Sequence, residues 1–147
     1  MVMLIPRDSS DYLRYLIGRA RLAMFRVRQK ELAPHRISPE QANVLFILYN
    51  HDHGLTLAEL AWQIDRKINT LSIQLTRMEK DKLVKKIRTT PKSNRLKFEL
   101  TKKGVVTYKT IEKIGSVKEI MSVITEEERL QIISTLEKII NQAEKYI

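Results

Sequence analysis

The sequence predicts a mainly α fold of the α+β kind with one small β-hairpin. Three observations carry that prediction. Apolar residues recur at helical spacing along most of the chain. Three segments open on a capping box: Ser38 with Gln41, Thr56 with Glu59, and Thr125 with Glu128. One stretch reads instead as two strands about a turn, with Leu96, Phe98 and Leu100 alternating as a half-buried strand does. Residues 56 to 104 therefore read as a helix-turn-helix followed by a basic hairpin. The fold class is a winged helix-turn-helix with a small β-hairpin wing and long N- and C-terminal helices.

The elements follow in order. Ser9 or Ser10 can cap a first helix in which Leu13, Leu16, Ile17, Ala20, Met24 and Val27 form one stripe. Five arginines, at 14, 19, 21, 26 and 28, occupy its other side, and Pro34 breaks it. Ser38-Pro39-Glu40-Gln41 opens a second helix, with Pro39 at the first helical position. Val44 to Leu48 is apolar without a polar face, which predicts burial in the middle of the domain. After His51-Asp52-His53-Gly54, Thr56 caps a third helix with Leu57, Leu60, Ala61 and Ile64 inward. Asp65-Arg66-Lys67 is a turn. Asn69 is the expected cap of a fourth helix, with Leu71, Leu75 and Met78 inward.

Leu83 to Arg88 is the first hairpin strand, although Lys85 interrupts its alternation and leaves its register weakly specified. Thr101 caps a fifth helix expected to run to about Ile124, with Gly115 marking a bend. Thr125 opens the last helix, with Glu126, Glu127 and Glu128 at its positive end. Its apolar stripe, from Leu130 to Ile147, is too wide for one neighbour and predicts packing on its own body and on a second chain.

Length and composition fit one domain over residues 1–147. Hydrophobic residues make up 43% of the 147 positions and charged residues 30%, enough for both a core and a solvated surface. The net charge of +10 calls for a polyanionic partner, nucleic acid or an acidic membrane surface. From Val84 to Phe98 there are six Lys or Arg, with the acid Glu99 just beyond, and this concentration favours nucleic acid. Cysteine is absent, which excludes disulfides, thiolate catalysis and Cys-ligated zinc. The apolar opening Met1 to Ile5 ends at Pro6-Arg7, too short for a signal or a membrane span, so the expected compartment is the cytoplasm and no membrane is implied.

The second helix of a helix-turn-helix presents its outward side chains to base edges. Here those are Thr70, Ser72, Ile73, Gln74, Thr76 and Arg77. Gln74 can pair twice with adenine, Arg77 twice with guanine or hold a phosphate, and Ile73 suits a thymine methyl. A merely solvated face would mix Glu and Lys, and that mixture is missing until Glu79. Lys85, Lys86, Arg88, Lys92, Arg95 and Lys97 exceed the one or two lysines that protect an edge strand.

The run Leu55-Thr56-Leu57-Ala58-Glu59-Leu60-Ala61, followed by Thr70-Leu71-Ser72, Arg77 to Val84 and Leu100-Thr101-Lys102-Lys103-Gly104, resembles the MarR family of transcription regulators. The resemblance spans essentially the whole chain. It implies a DNA-binding lobe at about 38–100, dimerisation helices at about 9–33 and 101–147, and an obligate homodimer. It further implies a repressor on a pseudo-palindromic operator of double-stranded DNA, commonly released by a small-molecule effector. By position, Thr70, Ser72, Ile73, Gln74 and Arg77 take the recognition role and the tip around Lys92 to Arg95 the wing role; Lys86 and Arg88 join the DNA-binding candidates through the charge of the hairpin. Two departures stand out. Lys92-Ser93-Asn94 replaces the family's Asp-x-Arg, with Arg95 one place late, and Lys82 stands where glycine is usual.

No catalytic set is visible, so an enzyme is not expected, and no cofactor is implied. His51, Asp52 and His53 make a weak metal pattern, more simply read as a solvated turn. Trp62 lies off the inward stripe of its helix, and two readings stay open: packing on the second helix or facing DNA. Two other functional classes remain as alternatives, a nonspecific architectural DNA-binding protein and a winged helix used for protein–protein contact.

Overall fold

The computed structural model describes residues 4–147; the first three residues of the apolar opening lie outside them. Helix α1 (Ser10–Leu32) starts where Ser9 accepts the Tyr12 backbone N–H at 3.1 Å. Pro34 sits in the short 3₁₀ turn Ala33–His35 that ends it, and Arg36 leaves the turn at φ 56°. Helix α2 (Pro39–Tyr49) opens on the expected capping box, with Gln41 N–H donating to Ser38 Oγ at 3.1 Å and Ser38 N–H to Gln41 Oε1 at 2.9 Å. Helix α3 (Leu57–Ile64) does the same through Thr56 and Glu59, and α7 (Glu126–Ala143) through Thr125 and Glu128.

Helix α4 (Ile68–Lys80) departs from expectation. It begins before Asn69, with Lys67 at the cap position and no side-chain cap bond. Its start is fixed from the preceding turn instead: Asp65 takes φ 55°, and Arg66 N–H returns to the Ala61 carbonyl at 3.0 Å. Strands β1 (Val84–Arg88) and β2 (Leu96–Leu100) pair antiparallel with Val84 opposite Leu100 and Lys86 opposite Phe98. Leu55 adds a one-residue bridge to Phe98 on the other side of β2, so β1 keeps a free edge. Gly54 precedes that bridge at φ 67°, where a Cβ would stand 2.7 Å from the Phe98 carbonyl oxygen; no other residue type fits without strain.

The expected fifth helix is two. Helix α5 (Lys102–Glu112) stops in a tight turn in which Ile114 N–H bonds to the Ile111 carbonyl, and α6 (Ser116–Met121) restarts after Gly115. Glycine is a poor helix interior residue, and here it separates two helices rather than bending one. The chain divides at the same point into two compact units, Met1–Ile114 and Gly115–Ile147. Helix α5 thus belongs with the first unit, where it packs on α2 and β2.

The core lies in that first unit. Leu32, Val44, Leu45, Leu60, Leu75, Met78 and Ile111 are fully buried, each worth about 1.5–3 kcal/mol of transfer free energy. Leu60, Leu75 and Met78 come from the inward stripes read in the sequence and Val44 and Leu45 from the apolar run of α2, whereas Leu32 and Ile111 stood in neither. Helix α2 is less buried than its composition implies. Ala42, Val44, Leu45 and Leu48 face the core, but Phe46 is 55% exposed. Phe46 and Tyr49 flank Tyr108 of α5, with ring centroids 6.3 and 4.4 Å away. Burial, then the neighbouring Glu112, pushes the Tyr108 phenol above its ordinary pKa. In α1 only Leu32 is buried, and Leu13, Leu16, Ile17 and Val27 of its stripe are exposed. In the second unit, α7 buries no residue and leaves Leu130, Ile132, Ile133, Ile139 and Ile140 open.

Candidate nucleic-acid interface

Helices α3 and α4 and the intervening turn Asp65-Arg66-Lys67 form the helix-turn-helix. Arg66 ties this turn to the start of α2 through an ion pair with Glu40 at 3.6 Å. Leu71, Leu75 and Met78 anchor α4 in the core. That anchoring leaves Thr70, Ser72, Ile73, Thr76 and Arg77 exposed, as expected. Ile73 is 59% exposed, an apolar side chain standing alone on a polar face. Thr76 Oγ1 donates to the Ser72 carbonyl at 2.9 Å, which leaves its oxygen lone pairs outward.

Gln74 sits differently. It is half-buried and lines a cavity of about 100 Å³ with Glu40, Val44, Ile64, Arg66 and Leu71. It belongs to the flank of α4 toward α2 rather than to the outermost row. Asn69 is the residue that sequence reading missed. Assigned to a cap, it lies instead inside the first turn of α4, exposed, where recognition helices touch bases. The signal available was Lys67-Ile68, which starts the helical run two positions earlier. Lys80 is likewise exposed at the far end of the same helix.

The wing places its six cations unequally. Arg88 on β1 and Lys92 and Arg95 in the connecting loop are exposed. Lys86 is turned toward α4: its Nζ lies 3.4 Å from Glu79 Oε1 and 6.0 Å from the Phe98 ring centroid. Its cross-strand partner is that same Phe98, so Lys86 links the end of α4 to the middle of the hairpin. Lys85 pairs with Glu99 at 3.9 Å. The tip is braced without the family's aspartate. Ser93 N–H donates to the Thr90 carbonyl and Arg95 N–H to Ser93 Oγ, each at 3.0 Å, so a serine hydroxyl closes the turn.

Glu59 connects the two parts. Its hydrogen bond from the Thr56 backbone holds the carboxyl below its ordinary pKa; the Thr56 hydroxyl and then Lys97 and Arg95 add to this. The two wing cations therefore lie close enough to the start of α3 to act on its charge. Trp62, on the same helix, is 80% exposed and does not pack on α2.

The junction that follows α4 explains two more sequence features. Lys82 adopts φ 59°, the left-handed conformation that favours glycine. Thr101 then reaches back: its hydroxyl donates to the Lys82 carbonyl and its N–H to the Leu83 carbonyl at 3.1 Å. Gly104 N–H donates to Thr101 Oγ1 at 3.0 Å. The first turn of α5 is thereby pressed on the chain leaving α4, which is the physical content of the Leu-Thr-x-x-Gly motif.

His51 Nδ1 lies 2.7 Å from the Ile47 carbonyl, so the ring donates there and caps the end of α2. Among the described residues no group of three or more metal-ligating side chains is present, and no helix is long and apolar enough to cross a membrane.

A helix-turn-helix with a polar outer face that carries no acid from Ile68 to Met78, followed by a hairpin with an exposed cationic tip, defines the winged helix-turn-helix class. Solved structures of that class match over nearly the whole chain. MepR of S. aureus in its DNA complex is 26% identical, covering 88% of this chain and 96% of MepR at a TM-score of 0.79. AbsC, a MarR family transcriptional regulator of Streptomyces coelicolor, is 20% identical over 98% of this chain and 99% of its own, at a TM-score of 0.84. CouR, a transcriptional repressor bound to a 23-mer DNA duplex, is 22% identical over 93% of this chain and 99% of its own, at 0.78. No protein-family model and no curated protein sequence matches the chain. In fold the chain is similar to these winged helix-turn-helix proteins.

Proposed function

We propose that the protein is a sequence-specific DNA-binding transcriptional regulator, a homodimeric repressor acting in the cytoplasm on a pseudo-palindromic operator. The observation that carries this reading is the outer face of α4. Asn69, Thr70, Ser72, Thr76 and Arg77 are exposed on a helix of groove-fitting size, beside wing cations that can hold phosphates. In this reading Arg77 and Asn69 read base edges, Gln74 reaches the groove from its flank, and Ile73 packs on a thymine methyl. Arg88, Lys92 and Arg95 hold the backbone. The DNA-bound relatives MepR and CouR support the same direction.

Dimerisation is supported by the two unpartnered apolar stripes, one on α1 and one on α7. Their charges are complementary. From Ser10 to Leu32 there are six Lys or Arg against two acids; from Glu126 to Ile147 there are five Glu against three Lys or Arg. Basic α1 of one protomer and acidic α7 of another therefore attract. Two recognition helices must then meet half-sites about one helical turn apart, roughly 34–36 Å. A small molecule that changes this separation releases the DNA.

Selection of bound duplexes from a random pool tests the reading. Enrichment of a palindrome, with light scattering that gives twice the 17.3 kDa chain mass, is the expected result. Binding that is equally tight for every sequence would leave the architectural alternative in place.

A further inference from the structure

One group of cations stands outside the surface made by α4 and the wing tip. Lys82, Lys85, Lys86, Lys102 and Lys103 line an open groove between the free edge of β1 and the start of α5, with Glu79 as its single carboxylate. None of the outward residues of α4 borders it. Lys86 is held by Glu79 and Lys85 by Glu99, and Lys103 Nζ donates to the Asp81 carbonyl at 2.8 Å. Lys82 and Lys102 have no carboxylate partner among the described residues.

Two local preferences are broken here at once. Lys82 holds a left-handed backbone that glycine would adopt without strain. Helix α5 begins Lys102-Lys103 with no acid in its first turn, although the free N–H groups make that end positive. Helices α1, α2, α3, α6 and α7 carry acids there, and α4, the helix of the base-reading face, shares the lack with α5. Lysine at both places is kept against local stability, the mark of a position serving a partner. The partner's chemistry follows from the lining. The one apolar liner, Val84, is 2% exposed, so the groove offers no hydrophobic anchor, and lysine is depleted from protein–protein interfaces. Backbone phosphates of nucleic acid are what such flexible ammonium groups hold.

We propose that this groove is a second binding surface for the backbone of duplex DNA, distinct from the base-reading face. Lys82, Lys85, Lys102 and Lys103 are its phosphate ligands. The inference rests on the DNA-binding reading above. The phosphates belong either to the operator duplex beyond the half-site or to a second duplex.

The test compares wild type with a Lys82→Asn, Lys102→Gln double variant, since asparagine tolerates the left-handed backbone. Binding is measured against salt on a selected core duplex and on the same core extended by about one helical turn at each end. Capture of a second labelled duplex by protein on an immobilised one is scored alongside. If the groove holds the same duplex, the variant loses about 0.9 of salt slope per lysine per subunit on the extended DNA and nothing on the core. If it holds a second duplex, both slopes match wild type and capture is lost. Lys102→Arg restores either signal. A variant identical to wild type in all three measurements overturns the proposal, and so does an equal loss of slope on the core, which would put these lysines on the primary surface. A wild type that cannot tell the core from a scrambled duplex removes the regulator reading instead, and the groove is then assayed on scrambled DNA.

Discussion

Gly104→Ala is the sharpest probe of how the wing is fixed to the recognition helix. A Cβ at this position would stand 2.1 Å from the Leu83 carbonyl oxygen and 3.2 Å from its carbon. An ordinary carbon–oxygen contact is about 1 Å longer than the first of these, so backbone must move. The oxygen that must move accepts the Thr101 N–H at 3.1 Å, and its loss forfeits about 1 kcal/mol. Overpacking adds about 1–3 kcal/mol. The better helix propensity of alanine returns about 0.5–1 kcal/mol. The net is a destabilisation of about 1–3.5 kcal/mol, read as a fall in Tm of roughly 3–12 °C for a chain of this size. Urea unfolding of the wild type, Gly104→Ala and Gly18→Ala measures it. Gly18 lies inside α1, and a methyl added there would meet nothing within 4 Å, so Gly18→Ala is expected to stabilise by about 0.5–1 kcal/mol. A Gly104→Ala protein as stable as Gly18→Ala would refute the close approach of α5 to the end of α4.

Lys82→Gly relieves the backbone strain at φ 59° and is expected to raise stability by about 1 kcal/mol in the same urea assay. Glu59 has a folded pKa below its ordinary 4.5, set first by the Thr56 backbone bond. Its stabilising contribution is therefore complete above about pH 4.5 and lost as pH falls through the lowered folded value. Glu59→Gln should flatten that part of the Tm-against-pH curve, and identical acid limbs would refute the role. Arg77→Ala should relax specificity at one operator position by about 1–3 kcal/mol, whereas Lys92→Ala or Arg95→Ala should weaken all duplexes and flatten the salt slope by about one unit. Equal loss for every sequence from Arg77→Ala would reassign Arg77 to a phosphate. Lys86→Met, by contrast, should change the salt slope less than Arg95→Ala, because its charge already meets Glu79.

The helix starts at Ser38, Thr56 and Thr125 were legible because each rests on bonds between residues three apart. The inward faces of α3 and α4 were legible because helical periodicity alone sorts Leu60, Leu71, Leu75 and Met78 from their polar neighbours. The exposed placement of Thr70, Ser72, Ile73, Thr76 and Arg77 followed from the same local rules, whereas the order of the elements as a whole was implied by the family resemblance. The start of α4 was not legible. It has no side-chain cap, so a good capping residue, Asn69, drew the boundary two positions too late. The break after Glu112 was also missed, since one glycine in an apolar pattern does not distinguish a bend from a stop.

What the sequence determined unaided is whatever is settled within one or two helical turns: caps, stripes, the cationic hairpin and its charge. Only the tertiary structure decided which cations are free, because the Lys86–Glu79 pair joins a strand to a helix. It also turned Gln74 toward α2, left Phe46 in solvent, and set the Leu-Thr-x-x-Gly turn on the end of α4 through bonds spanning 18 to 22 residues. Contacts at that separation depend on where whole elements come to rest, and no local periodicity or pairwise spacing encodes that position.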